Sequence, residues 1–444
     1  MNIFLSAICS YLDVDCPVDV RLTGVSTDTR SIQPGSLYIA LPGKNFDGHD
    51  FIAVAIAAGA AAVITHKPCT ATVPIVVVAD TLWAYGQIAA MYRANFKIPF
   101  VGITGSCGKT TVTSMTAAIV QRMGNTLFPT GSFNNEVGLP KTLLELTDAH
   151  EFAILEMGAR KPGDIKYLLE LVNPDVTLVN NVAPVHTETF GDLDTIARTK
   201  GEIYRYLQPN GTAIINVDDQ YAPFWLGSLT AQKVLTFGLE HAADITCAYI
   251  IEEHQCIKME LVTDIGSIQV LLPVLGRHNV MNALAAAAIA RALGGSLDDI
   301  KGGLEEYRTV TRRLEVKNGK QGSRVIDDSY NANPVAMRCA VDVLSKQQGK
   351  KIMVVGDMLE LGAQSADRHK ILGRQIKDAG INVLLGYGDF SKLTVAEFGV
   401  NAKFYVDKQE LITALTAMLD ADTVVLVKGS HGMQLNEVVN AIIA

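Results

Sequence analysis

Between Thr104 and Thr111 the chain reads TGSCGKTT, framed by the apolar run FVGI before it and a helical pattern after it. Gly105 and Gly108 permit backbone conformations closed to other residues. Successive N–H groups of Ser106, Cys107 and their neighbours can therefore converge on phosphate oxygens at the start of a helix. Lys109 supplies positive charge, and Thr110, followed by Thr111, supplies a hydroxyl suited to a magnesium ion bridging two phosphates. The nearest glycines before Gly108 are Gly102 and Gly105, so the stretch is a variant of the general GxxxxGK pattern. Turn chemistry alone explains Gly-Lys-Thr-Thr after a buried strand poorly, and the chemistry indicated is binding of a nucleoside triphosphate.

Further along, two apolar runs end in acids: FAILEMG places Glu156 at a strand's carboxyl end, and TAIINVDD places Asp218 and Asp219 there. In open α/β sheets the ligand crevice lies outside those ends, so either position could hold the magnesium, although such acids are equally common in plain turns. The run VTLVNN leads to Asn180, Asn181 and then His186, a candidate metal ligand or phosphate contact on a loop. If LDTIARTKGEIYRYL is one helix, Leu193, Ile196, Ala197, Ile203, Tyr204 and Leu207 form its apolar stripe and Lys200 falls inside it. A lysine facing a core must be neutral, paired or chemically modified, unless only its stem is buried.

Asn279 and Asn282 share one face at the start of an alanine-rich helix expected near 279–293, where they suit either capping or a base and ribose. Arg312 and Arg313 are candidates for reaching over the triphosphate, although a solvated arginine pair is the commoner meaning of such a sequence. In DDSYNANP, Asn333 before Pro334 reads as a helix N-cap, whereas Asp328, Tyr330 and Asn331 are less easily explained by capping.

Around these residues the chain alternates strands and helices. A chain of 444 residues exceeds one core and suggests two to four domains on a prior of roughly 100–200 residues each. The pattern divides it at 1–97, 98–307 and 308–444, each of α/β character. Candidate strands of the middle unit are FVGITG, FAILEMG, VTLVNN, TAIINV and KVLTFG, as in a mostly parallel, helix-covered sheet, with antiparallel alternation from Asp244 to Val274. The formal net charge of −8 argues against a general nucleic-acid binder. Seven cysteines without a CxxC pair imply a reducing compartment. The N-terminal segment lacks a basic stretch before its apolar residues, and no run reaches the length of a membrane span. A cytoplasmic protein without membrane insertion is expected.

Taken in order, the motifs resemble the Mur ligases, ATP-dependent amide-forming enzymes of peptidoglycan synthesis, and the resemblance covers essentially the whole chain. It rests on STDTR, PGSLYIAL and DGHDF in the first domain. TGSCGKTT, TGSFNNEVGLP, LEMGA, NNVAPVHTETFG, TKGEIY and GRHNVMNALAA carry it in the second, and RRLEV, DDSYNANP, GDMLELG and VKGS in the third. The resemblance implies a small N-terminal UDP-binding α/β domain, a central P-loop ATPase domain with a mostly parallel sheet, and a Rossmann-like C-terminal domain.

It also implies roles. Thr27, Asp28, Thr29 and Arg30, with Lys44, Asp47, Gly48 and His49, would contact the UDP substrate, and Asn134 and Asn135 would border the cleft. Glu156 and His186 would bind magnesium beside Thr110, with Lys200 as a carbamylated lysine completing the metal site. Asn279 and Asn282 would lie by the adenine, while Arg313, Asp328 and Tyr330 would close on ATP, and Asn331, Asp357 and Ser430 would receive a dipeptide. The branch implied joins D-alanyl-D-alanine to UDP-N-acetylmuramoyl-tripeptide through an acyl phosphate, a step of cell-wall growth, acting as a monomer with ATP and Mg2+. The sister branch that adds the third amino acid carries a DNPR motif, which is missing here. One departure lies in KGSHGMQLNEVV, where His431 and Leu435-Asn436 stand in place of an expected arginine and Met-Glu pair.

Overall fold

Short runs rich in Val, Ile and Ala favour strands buried on both faces, and three parallel or mostly parallel sheets result. The computed structural model describes residues 3–43, 46–131, 133–185, 187–253 and 255–444. In the N-terminal part, Gly24–Ser26, Ser36–Ile39, Ala62–Thr65 and Ile75–Val77 form a four-stranded parallel sheet in that order. The helix Thr81–Arg93 follows, its first N–H groups from Leu82 and Trp83 donating to the Asp80 carboxylate. Ala84, Tyr85 and Ile88 of this helix belong to the N-terminal core, whereas Ala89 belongs to the core of the middle region. One helix thus fastens the two regions together.

The middle sheet has six parallel strands, ordered Lys233–Phe237, Thr212–Asn216, Val176–Val179, Phe100–Thr104, Phe152–Glu156 and Thr126–Leu127. The strand feeding the glycine loop is flanked on one side by the run ending at Val179 and on the other by the run ending at Glu156. Register aligns Thr104 with Val179 and Ile103 with Glu156, so the loop emerges between Glu156 and Asn180. Five of these strands match the sequence reading. The two-residue strand Thr126–Leu127 does not appear there, being too short to show a period.

Helices cover both faces. Lys109–Val120 and His278–Ala292 share one core, where consecutive alanines from Ala285 to Ala288 are completely buried and let the helix lie close to its neighbours. Gly294, at φ +90°, ends that helix in the left-handed conformation. Leu193–Arg205 and Asp164–Val172 share the core on the other face. The expected antiparallel extension is a three-stranded sheet of Thr246–Glu252, Ile257–Thr263 and Gly266–Leu272. Its middle strand alternates buried and half-buried residues, the period of 2 seen in the sequence.

The C-terminal sheet is ordered Glu315–Asn318, Arg324–Asp328, Thr423–Lys428, Lys350–Gly356, Val383–Tyr387 and Ala402–Tyr405, antiparallel only at its first pair. Separate apolar cores occupy its two faces, as a doubly wound α/β domain requires. Asn333 caps the helix Pro334–Ser345 by accepting from the Ala336 N–H, as its sequence position before proline indicates. Among the described residues no helix is long and apolar enough to cross a membrane.

Candidate active site

Gly108 precedes the helix Lys109–Val120 at φ +77°, and a Cβ there would lie 2.6 Å from both Asn180 Nδ2 and Asn282 Oδ1. Only glycine lets the loop pass this close to two amides. The Ser106 N–H donates to the Asn181 carbonyl and the Cys107 N–H to Asn181 Oδ1, each at 2.9 Å. These two groups hold the loop to the neighbouring strand end. The N–H groups open to an anion are therefore those at the helix start, from Gly108 to Thr111, which have no intrahelical acceptor.

Lys109 folds back to donate to the Gly105 carbonyl at 2.9 Å. The Thr110 hydroxyl donates to Glu156 Oε2 at 2.8 Å and accepts from Arg313 Nη2 at 2.9 Å, which joins the middle and C-terminal regions at one atom. Asn134 Nδ2 donates to Glu156 Oε1 at 2.7 Å. Glu156 is only 2% exposed, and among the described residues its partners are this hydroxyl and this amide, with no cation. A buried carboxylate beside a threonine hydroxyl fits a hard divalent cation with oxygen ligands.

The rival acids Asp218 and Asp219 are engaged otherwise. Asp218 accepts N–H groups from Leu239, Glu240 and His241, and Asp219 accepts those of Val182 and Tyr221. Both tie loops at the sheet end, which leaves Glu156 as the strand-terminal acid facing the glycine loop.

Lys200 lies in the helix Leu193–Arg205, capped by Asp192 through the Thr195 N–H, and is 2% exposed. Burial first, and then the positive charge of Lys109, lower its pKa from 10.5 to about 7. The stripe inferred from periodicity is therefore real, and the amine itself, not merely its stem, is buried.

Asn279 and Asn282 are buried and linked in a chain of amides. Asn279 Nδ2 donates to the Leu275 carbonyl at 2.8 Å and Asn282 Nδ2 to Asn279 Oδ1 at 2.8 Å. Asn180 Nδ2 donates both to Asn282 Oδ1 and to the Cys107 carbonyl. Neither Asn279 nor Asn282 caps the helix His278–Ala292, whose N-cap position is Arg277.

The two arginines divide their work. Arg312 donates to the Ser329 carbonyl and hydroxyl. Arg312 and Leu314 both take positive φ, +66° and +55°, and this bend turns Arg313 towards Thr110, its guanidinium 4.2 Å over the Tyr330 ring. Asp328 pairs with Lys428 at 2.7 Å; burial raises the Asp328 pKa while Lys428 opposes the rise. Lys428 also donates to the Asn331 carbonyl. Lys428 is a site residue beyond those expected from the motifs, and its signal in the sequence is a lysine ending the apolar strand Thr423–Lys428.

A cleft of about 1220 Å³ results between the middle and C-terminal regions. Residues 106–111, Asn134, Asn135, Glu156, Asn279, Asn282, Arg313, Asp328, Tyr330 and Asn331 all line it. Other expected residues lie elsewhere. Asp28 and Arg30 form an exposed ion pair, with the Asp28 carboxyl held down to about 2 by hydrogen bonds from Arg30. Thr27 and Thr29 flank that turn, while Asp47 binds Lys67 and His49 next to Gly48, all in the N-terminal region. Asp357 accepts from the N–H groups of Phe390 and Ser391 and from the Ser391 hydroxyl, and so fixes the start of the helix Ser391–Phe398. Ser430 Oγ accepts from the Leu359 N–H. Lys44 and His186 lie outside the described residues.

Known families match each region. The Mur ligase middle domain matches residues 103–290, the "Mur ligase, glutamate ligase domain" residues 312–431, and the "Mur ligase family, catalytic domain" residues 21–93. The UDP-N-acetylmuramoyl-tripeptide–D-alanyl-D-alanine ligase of Escherichia coli K12 is 42% identical over 446 residues, covering 100% of this chain and 98% of that protein. The ligase of the same name from Haemophilus influenzae is 37% identical, over 95% of this chain and 93% of that one. Among solved structures, MurF from Acinetobacter baumannii superposes with a TM-score of 0.94 at 33% identity, covering 99% of this chain and 98% of that one. MurF from Thermotoga maritima in complex with ADP superposes with a TM-score of 0.83 at 27% identity, over 94% and 96% of the two chains.

Proposed function

This chain belongs to the Mur ligase family, and from that premise we propose that it is the ATP-dependent ligase that joins D-alanyl-D-alanine to UDP-N-acetylmuramoyl-tripeptide, giving the pentapeptide precursor of peptidoglycan. The observation that carries the reading is the Thr110 hydroxyl, bonded at once to Glu156 and to Arg313 of the C-terminal region. Two domains build one phosphate site, as a reaction needs when its intermediate must be closed off from water.

The terminal carboxylate of the bound tripeptide attacks the γ-phosphorus of ATP, and ADP leaves. Lys109 and Arg313 offset the repulsion between the two anions, and the N–H groups at the helix start hold the phosphates in line. The amine of the dipeptide then attacks the acyl phosphate, loses a proton, and phosphate departs with one former carboxylate oxygen. Closure of the C-terminal domain excludes water from the acyl phosphate. Magnesium, held by Glu156, Thr110, His186 and Lys200 in its carbamate form, would neutralise phosphate charge.

The depressed pKa of Lys200 supports the carbamate, because only the neutral amine adds to carbon dioxide, releasing a proton and leaving an anion. That anion would turn the repulsion from Lys109 into attraction. Asn279 and Asn282 flank the adenine in this reading, with Asp328 and Tyr330 on the closing side. The Thr27–Arg30 turn and the segment from Lys44 to His49 hold the UDP group, and Asn331 meets the dipeptide. Asp357 and Ser430, whose polar groups bind backbone, position the loops around it. The units are 1–97, 98–307 and 308–444, working as a cytoplasmic monomer.

The test is phosphate release from ATP by purified protein with magnesium and UDP-N-acetylmuramoyl-tripeptide, with the dipeptide present or withheld. Release is expected only when both substrates are present; turnover with a free amino acid and a shorter muramoyl peptide would move the reading to a sister ligase.

A further inference from the structure

Beyond the phosphate site, the cleft extends towards Leu82 and Tyr167, on the side of the helix Thr81–Arg93 that leads to the N-terminal region. Arg160 and Lys161 line this part of it, and both side chains are exposed. Neither forms an ion pair among the described residues, although two acids lie close in the fold. Those acids are engaged with backbone. Asp164 Oδ2 accepts the N–H groups of Arg160 at 2.8 Å and Lys161 at 3.0 Å, and Glu202 accepts those of Gly163 and Lys166, each at 2.9 Å. The loop is thus pinned while its two cationic heads stay open to the cleft. Among the described residues, Glu136 and Asp164 are the other charged side chains lining this end.

Resting on the function proposed above, we infer that Arg160 and Lys161 form the subsite that holds the carboxylates of the acceptor peptide that do not react. The acceptor must run from the N-terminal region to the γ-phosphate near Lys109, and so past this loop. Arg160 and Lys161 follow Glu156 by four and five residues, which places them within roughly 14–18 Å of it along the chain. A peptide one or two residues back from its reacting end spans at most about 7 Å, which lies inside that upper bound. A relative from Acinetobacter baumannii is named for a glutamyl-2,6-diaminopimelate acceptor. Each of those two residues, once linked into a chain, keeps a carboxyl group free besides the reacting one. Two free anions then face two unpaired cations, and an arginine fork suits a carboxylate in particular.

The experiment compares an acceptor bearing its free carboxylates with one in which the non-reacting carboxylates are carboxamides, using wild type and the R160Q/K161Q double variant. Wild type should favour the acid acceptor by about 10- to 100-fold in kcat/KM, mostly through KM, as lost charge-assisted contacts of this kind produce. The double variant should fall to the wild-type value for the carboxamide and lose nothing further on it, while binding ADP and melting as wild type does. Equal use of the two acceptors by wild type, or equal loss on both in the variant, would overturn the subsite. Failure of wild type to turn over the acid acceptor at all would instead strike at the ligase reading.

Discussion

Lys200 is buried beside the positive charge of Lys109, and its titration makes a testable signature. The folded state releases the proton near pH 7 and the unfolded chain near 10.5, so between those values the unfolded chain holds one more proton. Stability therefore rises with pH in that window, by about 1.4 kcal/mol per pH unit from this group, and the contribution is lost as pH falls through 7. In bicarbonate-free buffer, denaturant unfolding from pH 7 to 9 should show a slope that flattens in Lys200→Met. The same variant should retain its fold and lose nearly all turnover; full activity would remove Lys200 from the metal site. This residue was legible in the sequence because a polar residue interrupts an apolar period of 3.6. Asn181 and Lys428 were not, because their significance lies in partners far away in the chain: the N–H of Cys107 for one, Asp328 for the other.

Secondary-structure elements announced themselves where local chemistry alone decides. The cap of the helix Pro334–Ser345 is such a case, and Asn333→Ala should cost about 1 kcal/mol, read as a lower denaturation midpoint with an unchanged m-value. Its amide also meets Cys107 Sγ at 3.4 Å, so weaker ATP binding should accompany the loss. The long strands and the antiparallel extension were visible as apolar runs and as alternation. Thr126–Leu127 was hidden by its length, and the start of the helix Ser391–Phe398 by its partner, since Asp357 caps it from 34 residues away. A capping signal that spans two elements leaves no trace in a local window. The family resemblance implies a dipeptide contact at Asp357, and in the structure its carboxylate accepts the N–H groups of Phe390 and Ser391.

At the scale of the whole molecule, the site exists because the C-terminal domain lies against the glycine loop. Arg313 crosses that boundary to Thr110, and the positive φ of its two neighbours holds it there. Arg313→Ala should lower kcat by about 10²–10³ with a smaller change in the KM for ATP, as expected for a group that acts on charge developed in the transition state. Steady-state kinetics with saturating dipeptide would check this, and a loss confined to KM would assign Arg313 to binding alone. An acyl-phosphate ligase moves one carboxylate oxygen of the tripeptide into the released phosphate. The decisive measurement supplies the tripeptide with ¹⁸O in its terminal carboxylate, together with ATP and D-alanyl-D-alanine, and weighs both products by mass spectrometry. One labelled oxygen is expected in the released phosphate, with a muramoyl product extended by the dipeptide; unlabelled phosphate, or phosphate released without the dipeptide, would rule out the acyl-phosphate ligase.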